Sequence, residues 1–166
     1  MHHPVMLDEV ISSLNLKPGY VVLDATIGGG GHAGEILKRI SPGGMLIGLD
    51  ADESAIARAS ESLKEFDGSF KLINDNFRNL DVALAKQKAK SFNAILLDIG
   101  VSSFQIDEPG RGFSIKEPAP LDMRMDRRLQ VSAFDIINRY KESDLSDIIY
   151  KYGEERFSRR IARRIV

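Results

Sequence analysis

Apolar residues along the chain follow two alternating rhythms. Val5, Leu7, Val10, Ile11 and Leu14 recur at three- and four-residue spacing, which predicts a short amphipathic helix over residues 5–14, closed by Lys17-Pro18-Gly19. A compact β-branched run at 20–25 then breaks at Gly28 to Gly31 and predicts a buried strand. A helical pattern at 33–40 stops at Ser41-Pro42-Gly43-Gly44. The alternation repeats: strand 45–49 ending at Asp50, helix 53–66 with Ile56, Ala59 and Leu63 on one face, and strand 70–73. Helix 79–90 and strand 94–97, closing at Asp98, complete it. Strand and helix alternating at regular spacing predict an α/β fold, a parallel sheet with helices on both faces joined by right-handed crossovers.

After residue 100 the rhythm changes. Residues 101–130 carry Gly, Pro and charge without periodicity and read as a long ordered loop, followed by helical patterns at 132–140, 143–152 and 154–166. The expected division is therefore a sheet domain at 1–103 and a loop-and-helix segment at 104–166. A fifth strand pattern is absent. A bare fourth strand and a helical pattern still running at Val166 predict that this is the front part of a longer chain.

Composition narrows the class. The chain has 166 residues, a net charge of −1, 43% apolar and 28% charged residues, a normal mix for one domain with a core. The balance hides an asymmetry. Residues 1–83 are net acidic (−5) and residues 84–166 net basic (+4), so an anionic partner is expected to meet the second half. No run approaches the ~18 apolar residues of a membrane span, and the acidic start does not resemble a secretory signal, so a cytoplasmic protein is expected. The chain contains no cysteine and three histidines, which predicts no disulfide, no cysteine nucleophile and no metal site.

The densest chemical signal is DATIGGGGHAG at residues 24–34. Gly29, Gly31 and Gly34 satisfy the spacing GxGxxG, and Asp50 ends the next strand, where a carboxylate can accept both hydroxyls of a ribose. A nucleoside-bearing cofactor is expected at this sheet edge. A dinucleotide would place its pyrophosphate on the following helix. S-adenosylmethionine carries instead a sulfonium, an ammonium and a carboxylate. Asp24, Asp50, Asp75 and Asp98 put an acidic residue at each of four strand ends, which suits a cationic ligand and would repel a pyrophosphate. Phe77 follows the third strand, where a ring could stack on a base. His32 suits either a local hydrogen bond or a ligand contact.

The motifs together carry a family resemblance. His2-x-Pro4-Val5-x-Leu7, the glycine run, GLDAD at 48–52, DIGVSSFQID at 98–107, RGFS at 111–114, PLDMRMD at 120–126 and YGEERFSRRIARRIV at 152–166 resemble the ribosomal RNA small-subunit methyltransferase H (MraW) family. The resemblance implies a Rossmann-like class I methyltransferase sheet with a helical insertion after strand four. It implies transfer of a methyl from S-adenosylmethionine to the exocyclic amine (N4) of a cytidine in the decoding region of 16S ribosomal RNA. Carried over position by position, the family's cofactor contacts fall on Gly30, Gly31, His32, Asp50, Phe77, Asp98 and Gln105, with the small ribosomal subunit or its RNA as partner.

The absence of cysteine fits amine chemistry, because methylating a pyrimidine ring carbon usually needs a thiolate that adds to the ring. An amine must instead be oriented with its lone pair toward the methyl, by an acceptor for its hydrogens. Many amino-methyltransferases place Asp or Asn, Pro-Pro and an aromatic after strand four. Here the residues are Asp98-Ile99-Gly100-Val101-Ser102-Ser103, leaving Asp98, Ser102, Ser103 and Asp122 as candidate acceptors. For RNA phosphates the candidates are Arg111 and Arg124 in the loop, and Arg156, Arg160, Arg163 and Arg164, which share a helical face. Phe157, Ile161 and Ile165 are expected to pack inward, and Phe104 or Phe113 could cover an extruded base. Two other readings remain at this point: an NAD-linked oxidoreductase using the GxGxxG turn, and a ribosome-assembly module that binds without turnover.

Overall fold

The computed structural model describes residues 4–85 and 91–166. The chain divides into two compact units, residues 1–100 and 101–166.

The first unit is built on four parallel strands, β1 (Val21–Asp24), β2 (Met45–Asp50), β3 (Phe70–Asn74) and β4 (Ala94–Leu96), in the order β3-β2-β1-β4. Register follows the pleat: Leu23 pairs with Ile47 and with Ile95, and Asp50 pairs with Asn74. Alternate residues of the inner strands serve opposite faces. Val22 and Leu46 lie in one core with α1 (Leu7–Ser13), α2 (Gly31–Ile40) and α3 (Glu53–Ser62), through Ile11, Ile36, Leu37, Ile40 and Ala59. Leu23, Ile47 and Leu49 face the other side, where Ala83 of α4 (Leu80–Ala85) packs on them. Val22, Leu23, Leu46 and Leu49 are fully buried, each stabilising the sheet by roughly 1.5–3 kcal/mol. Helices thus cover both faces, as the alternation predicts. Short 3₁₀ turns at Lys64–Phe66 and Phe77–Asn79 replace the end of the third expected helix and the start of the fourth; residues 86–90 of the latter lie outside the described residues.

The second unit departs further from expectation. The stretch read as loop contains a helix, α5 (Ser103–Asp107), nucleated by a reciprocal cap: the Ser102 hydroxyl accepts from the Gln105 N–H, and Gln105 Oε1 accepts from the Ser102 N–H. An S-x-x-Q box was present in the sequence, but a helix this short shows no hydrophobic period. α6 (Ala133–Arg139) and α7 (Glu142–Gly153) form as predicted. The last helix, α8 (Ser158–Ile165), starts four residues late, because Glu154 turns left-handed (φ 52°) at the end of α7.

α7 and α8 pack through Leu145, Ser146, Ser158 and Ala162, with the two serine hydroxyls 3.2 Å apart. Small residues at 158 and 162 let the helices approach closely. Phe157, Ile161 and Ile165 are therefore exposed in this unit, against the expectation that they pack inward.

Candidate functional site

The carboxyl ends of the strands gather the acidic residues. Asp24 pairs with Gly48 on one side and Leu96 on the other; Asp50 and Asp98 each lie two residues beyond those partners. Three carboxyl-bearing positions thus share one sheet edge, with Asp75 following β3. The chain steps outward from β1 to β2 to β3 and then returns to β4 on the far side of β1. Strand ends diverge at such a reversal and leave a ligand crevice.

The loop after β1 is held at each step. The Ile27 N–H donates to the Leu49 carbonyl at 2.8 Å, and the Gly28 N–H to Asp50 Oδ2 at 2.9 Å. The other oxygen of Asp50 accepts the Asp52 N–H at 2.9 Å, and Asn74 donates to the Asp50 carbonyl. A carboxylate has about four lone-pair sites. Two backbone donors fix the orientation of Asp50 and leave capacity for ligand hydroxyls. Burial pushes its acidity down, raising the pKa against the pull of those donors.

Asp24 is more extreme. It is 1% exposed, and burial pushes its pKa up to about 7, helped by the nearby charges of Asp50 and Asp98 and opposed by the Thr26 N–H at 3.1 Å.

The glycine turn does not use the dinucleotide spacing. Gly28 and Gly30 carry the positive φ angles, 53° and 86°, rather than Gly29 or Gly31. A Cβ on Gly30 would lie 2.5 Å from Ser62 Oγ, so a side chain there would have to displace that hydroxyl of α3 as well as adopt a left-handed φ. Gly34, the third glycine of the pattern, would meet its nearest neighbour at an ordinary 3.8 Å. Close helix-to-strand packing, the role that glycine has in a dinucleotide fold, is not called upon. α2 begins without a side-chain cap or an acidic residue in its first turn, which leaves its leading N–H groups suited to a small anionic group such as a carboxylate.

The remaining candidates divide. Phe77 is 42% exposed beyond β3 and is not a core aromatic. Asp98 has an exposed side chain, and its N–H donates to the Thr26 hydroxyl at 2.7 Å. His32 is buried, with Nε2 3.1 Å from the Val5 carbonyl. Gln105 and Ser102 are engaged in the α5 cap, in the second unit.

Two arginines taken as RNA contacts are engaged within their own unit, Arg111 buried and Arg124 half-buried. Arg111 is 2% exposed and donates to the carbonyls of Arg124 and Met125 at 3.0 and 3.2 Å, with Glu108 at 3.4 Å. It ties the RGFS and PLDMRMD segments together. Arg124 makes a two-pronged pair with Asp122, both contacts at 2.7 Å, and reaches the Leu129 carbonyl. That pair holds the Asp122 pKa down to about 2 and engages both of its carboxylate oxygens. Sequence counts arginines but not the carbonyls that surround them. Arg156, Arg160, Arg163 and Arg164 are exposed; Arg156 precedes α8 and lies over the Phe157 ring at 4.7 Å, and Arg163 is 3.5 Å from Glu142. The sequence reading passed over Thr26, whose hydroxyl only the folded strand ends bring to Asp98.

Among known proteins, residues 1–166 match the family model described as MraW methylase family. The relative named ribosomal RNA small subunit methyltransferase H from Clostridium botulinum (strain 657 / Type Ba4) is 50% identical over 165 residues, 99% of this chain and 53% of its own length. The relative of the same name from Clostridioides difficile (strain 630) is 46% identical, with 99% and 53% covered. The chain spans about half the length of the curated relatives it matches. A solved S-adenosylmethionine-dependent O-methyltransferase from Thermotoga maritima matches distantly, with TM-score 0.43 and 14% identity over 46% of this chain and 30% of that one.

Proposed function

This chain belongs to the MraW methylase family, and from that premise we propose that it is the donor-binding part of an enzyme that methylates the exocyclic amine of a cytidine in small-subunit ribosomal RNA, using S-adenosylmethionine. The observation that carries the reading is the acidic edge of Asp24, Asp50 and Asp98 beside an uncapped α2 N-terminus. That donor set fits the cofactor's chemistry: carboxyls for the cationic centres and the ribose, free N–H groups for its carboxylate, and the exposed Phe77 ring for the base. When bound, S-adenosylmethionine supplies a methyl group activated by a sulfonium.

The residues of the chain have separable tasks. Asp50, held by Gly28 and Asp52, presents lone pairs to the ribose hydroxyls. Gly30 and Gly31 and the backbone at His32 line the turn. Asp24, buried at the end of β1, would add negative potential beneath a bound cation. Of the four candidate acceptors for the amine hydrogens, Asp98 is the one on the acidic edge with an exposed side chain; Ser102 caps α5 and Asp122 is paired with Arg124. Asp98 therefore orients the amine, and proton loss can follow transfer without a strong base. Ser103 and Gln105 remain candidates from the family resemblance.

RNA contact is assigned to the exposed arginines Arg156, Arg160, Arg163 and Arg164. No helix among the described residues is long and apolar enough to cross a membrane, in keeping with a cytoplasmic ribosomal substrate. An NAD-linked reading is disfavoured by the acidic edge and by a third glycine that packing does not need.

The test is methyl transfer by the intact gene product from labelled S-adenosylmethionine to undermodified small ribosomal subunits, followed by nucleoside mass spectrometry. Label on cytidine N4 is expected. Label in a ring-carbon methyl overturns the amine assignment, and binding to subunits without any labelled nucleoside favours an assembly module.

A further inference from the structure

β1 and β4 pair in parallel, with Leu23 opposite Ile95 and Asp24 opposite Leu96. In a parallel ladder a bracketing residue donates its N–H one position back on the neighbour and accepts, at its carbonyl, from one position ahead. Ala25 obeys the first half: its N–H donates to the Leu96 carbonyl at 3.0 Å. The second half would put the Asp98 N–H on the Ala25 carbonyl. The Asp98 N–H donates instead to Thr26 Oγ1, at 2.7 Å. A side chain has taken over the last rung.

The same residue reaches the other strand end, since the Thr26 N–H donates to Asp24 Oδ1 at 3.1 Å. Thr26 thus grips a buried carboxyl at the end of β1 and the backbone that carries Asp98 beyond β4. A ladder continuing through Asp98 would close the two strands together at the place where the sheet order opens a crevice. Simple divergence would leave the Asp98 N–H without its ladder partner. A hydroxyl one bond beyond Cβ avoids both.

We propose that Thr26 is a positioning residue of the methyl-donor site, its hydroxyl holding Asp98 at the mouth of the crevice instead of letting it pair into the sheet. The inference rests on reading the acidic edge as that donor site. It adds a residue outside the glycine run and the aspartates, acting through Asp98.

Two substitutions separate positioning from packing. Thr26→Val keeps the branched shape and removes the acceptor; Thr26→Ser keeps the acceptor and removes the methyl. Titration calorimetry of the intact gene product, native and carrying either substitution, with S-adenosylmethionine is expected to show about tenfold or greater weakening for T26V, as fits an orphaned N–H, and T26S within about threefold of native. Native-like affinity in T26V overturns the proposal, and so does a loss in T26S as large as in T26V. A native gene product that fails to bind S-adenosylmethionine at all overturns the donor-site reading as well, a result distinct from either variant outcome. Should T26V not fold, the native gene product still decides: exchange of the Asp98 amide hydrogen is expected to slow about tenfold when S-adenosylmethionine binds, and an unchanged rate overturns the proposal.

Discussion

The Asp50 carboxylate accepts the Gly28 N–H at 2.9 Å, so the acidic end of one strand fixes the first positive-φ glycine of the turn that follows its neighbour. In the proposed function, loop shape and ligand recognition share this one side chain. Replacing it removes a charged acceptor from two backbone donors and from the ribose hydroxyls together. Asp50→Ala is expected to weaken S-adenosylmethionine binding by at least about 30-fold, consistent with roughly 2 kcal/mol for a charged hydrogen bond. Asp50→Asn, which keeps a carbonyl acceptor, should lose less. Calorimetry measures both, and unchanged affinity in the alanine variant removes Asp50 from the site.

Asp24 gives a pH signature. Its folded pKa lies near 7 while an unfolded aspartate titrates near the ordinary value of 3.8. Between these values the unfolded chain releases a proton that the folded chain keeps. The ligand-free fold is thus most favoured by this group below about pH 4, loses stability as pH rises toward 7, and levels off above. Asp24→Asn should stabilise the ligand-free chain at pH 8 by on the order of 2–4 kcal/mol and show little difference at pH 4, read from urea unfolding at each pH. A pH-independent difference would show that the carboxyl ionises normally. Cofactor affinity in the same variant should fall, because the cation loses its counter-charge.

Arg111 and the exposed arginines should behave oppositely. Arg111→Ala leaves the carbonyls of Arg124 and Met125 without a donor inside the fold and is expected to destabilise by about 2–4 kcal/mol in denaturant unfolding. Arg111→Lys should recover little, since one ammonium cannot reproduce the fork. An unfolding curve for R111A equal to native would show that Arg111 does not organise the loop.

Arg160→Ala and Arg164→Ala should leave unfolding within about 0.5 kcal/mol of native, because both side chains are exposed. In the intact gene product, each should weaken ribosomal RNA binding and lower the slope of log affinity against log salt by about 1. A variant with native affinity and native salt slope has no phosphate contact.

Gly30→Ala tests the loop from its packed side. The added methyl must tolerate φ of 86° and a contact of 2.5 Å with Ser62 Oγ, so a destabilisation of about 1–3 kcal/mol is expected. Gly34→Ala, with its nearest neighbour at 3.8 Å, should be neutral or slightly stabilising within its helix. Thermal unfolding of the pair reads the contrast; equal effects would mean that the close contact carries no energy.

Sequence by itself determined the periodic parts of this protein. Four short apolar runs separated by helical patterns marked the strands, their parallel sense and the burial of Val22, Leu23, Leu46 and Leu49, because period and apolarity are local properties of the chain. The aspartates at strand ends were legible for the same reason: a strand that stops at Asp24 or Asp50 puts that carboxyl at the sheet edge wherever the sheet lies. Tertiary structure alone decided which polar group meets which. Ser102 and Gln105 became a cap, Arg111 went inside, Phe157, Ile161 and Ile165 stayed outside because Ser158 and Ala162 made the closer helix contact, and Thr26 met Asp98 across 72 residues of chain. A hydrogen bond depends on a few tenths of an ångström between groups far apart in sequence, whereas the hydrophobic pattern needs only to repeat.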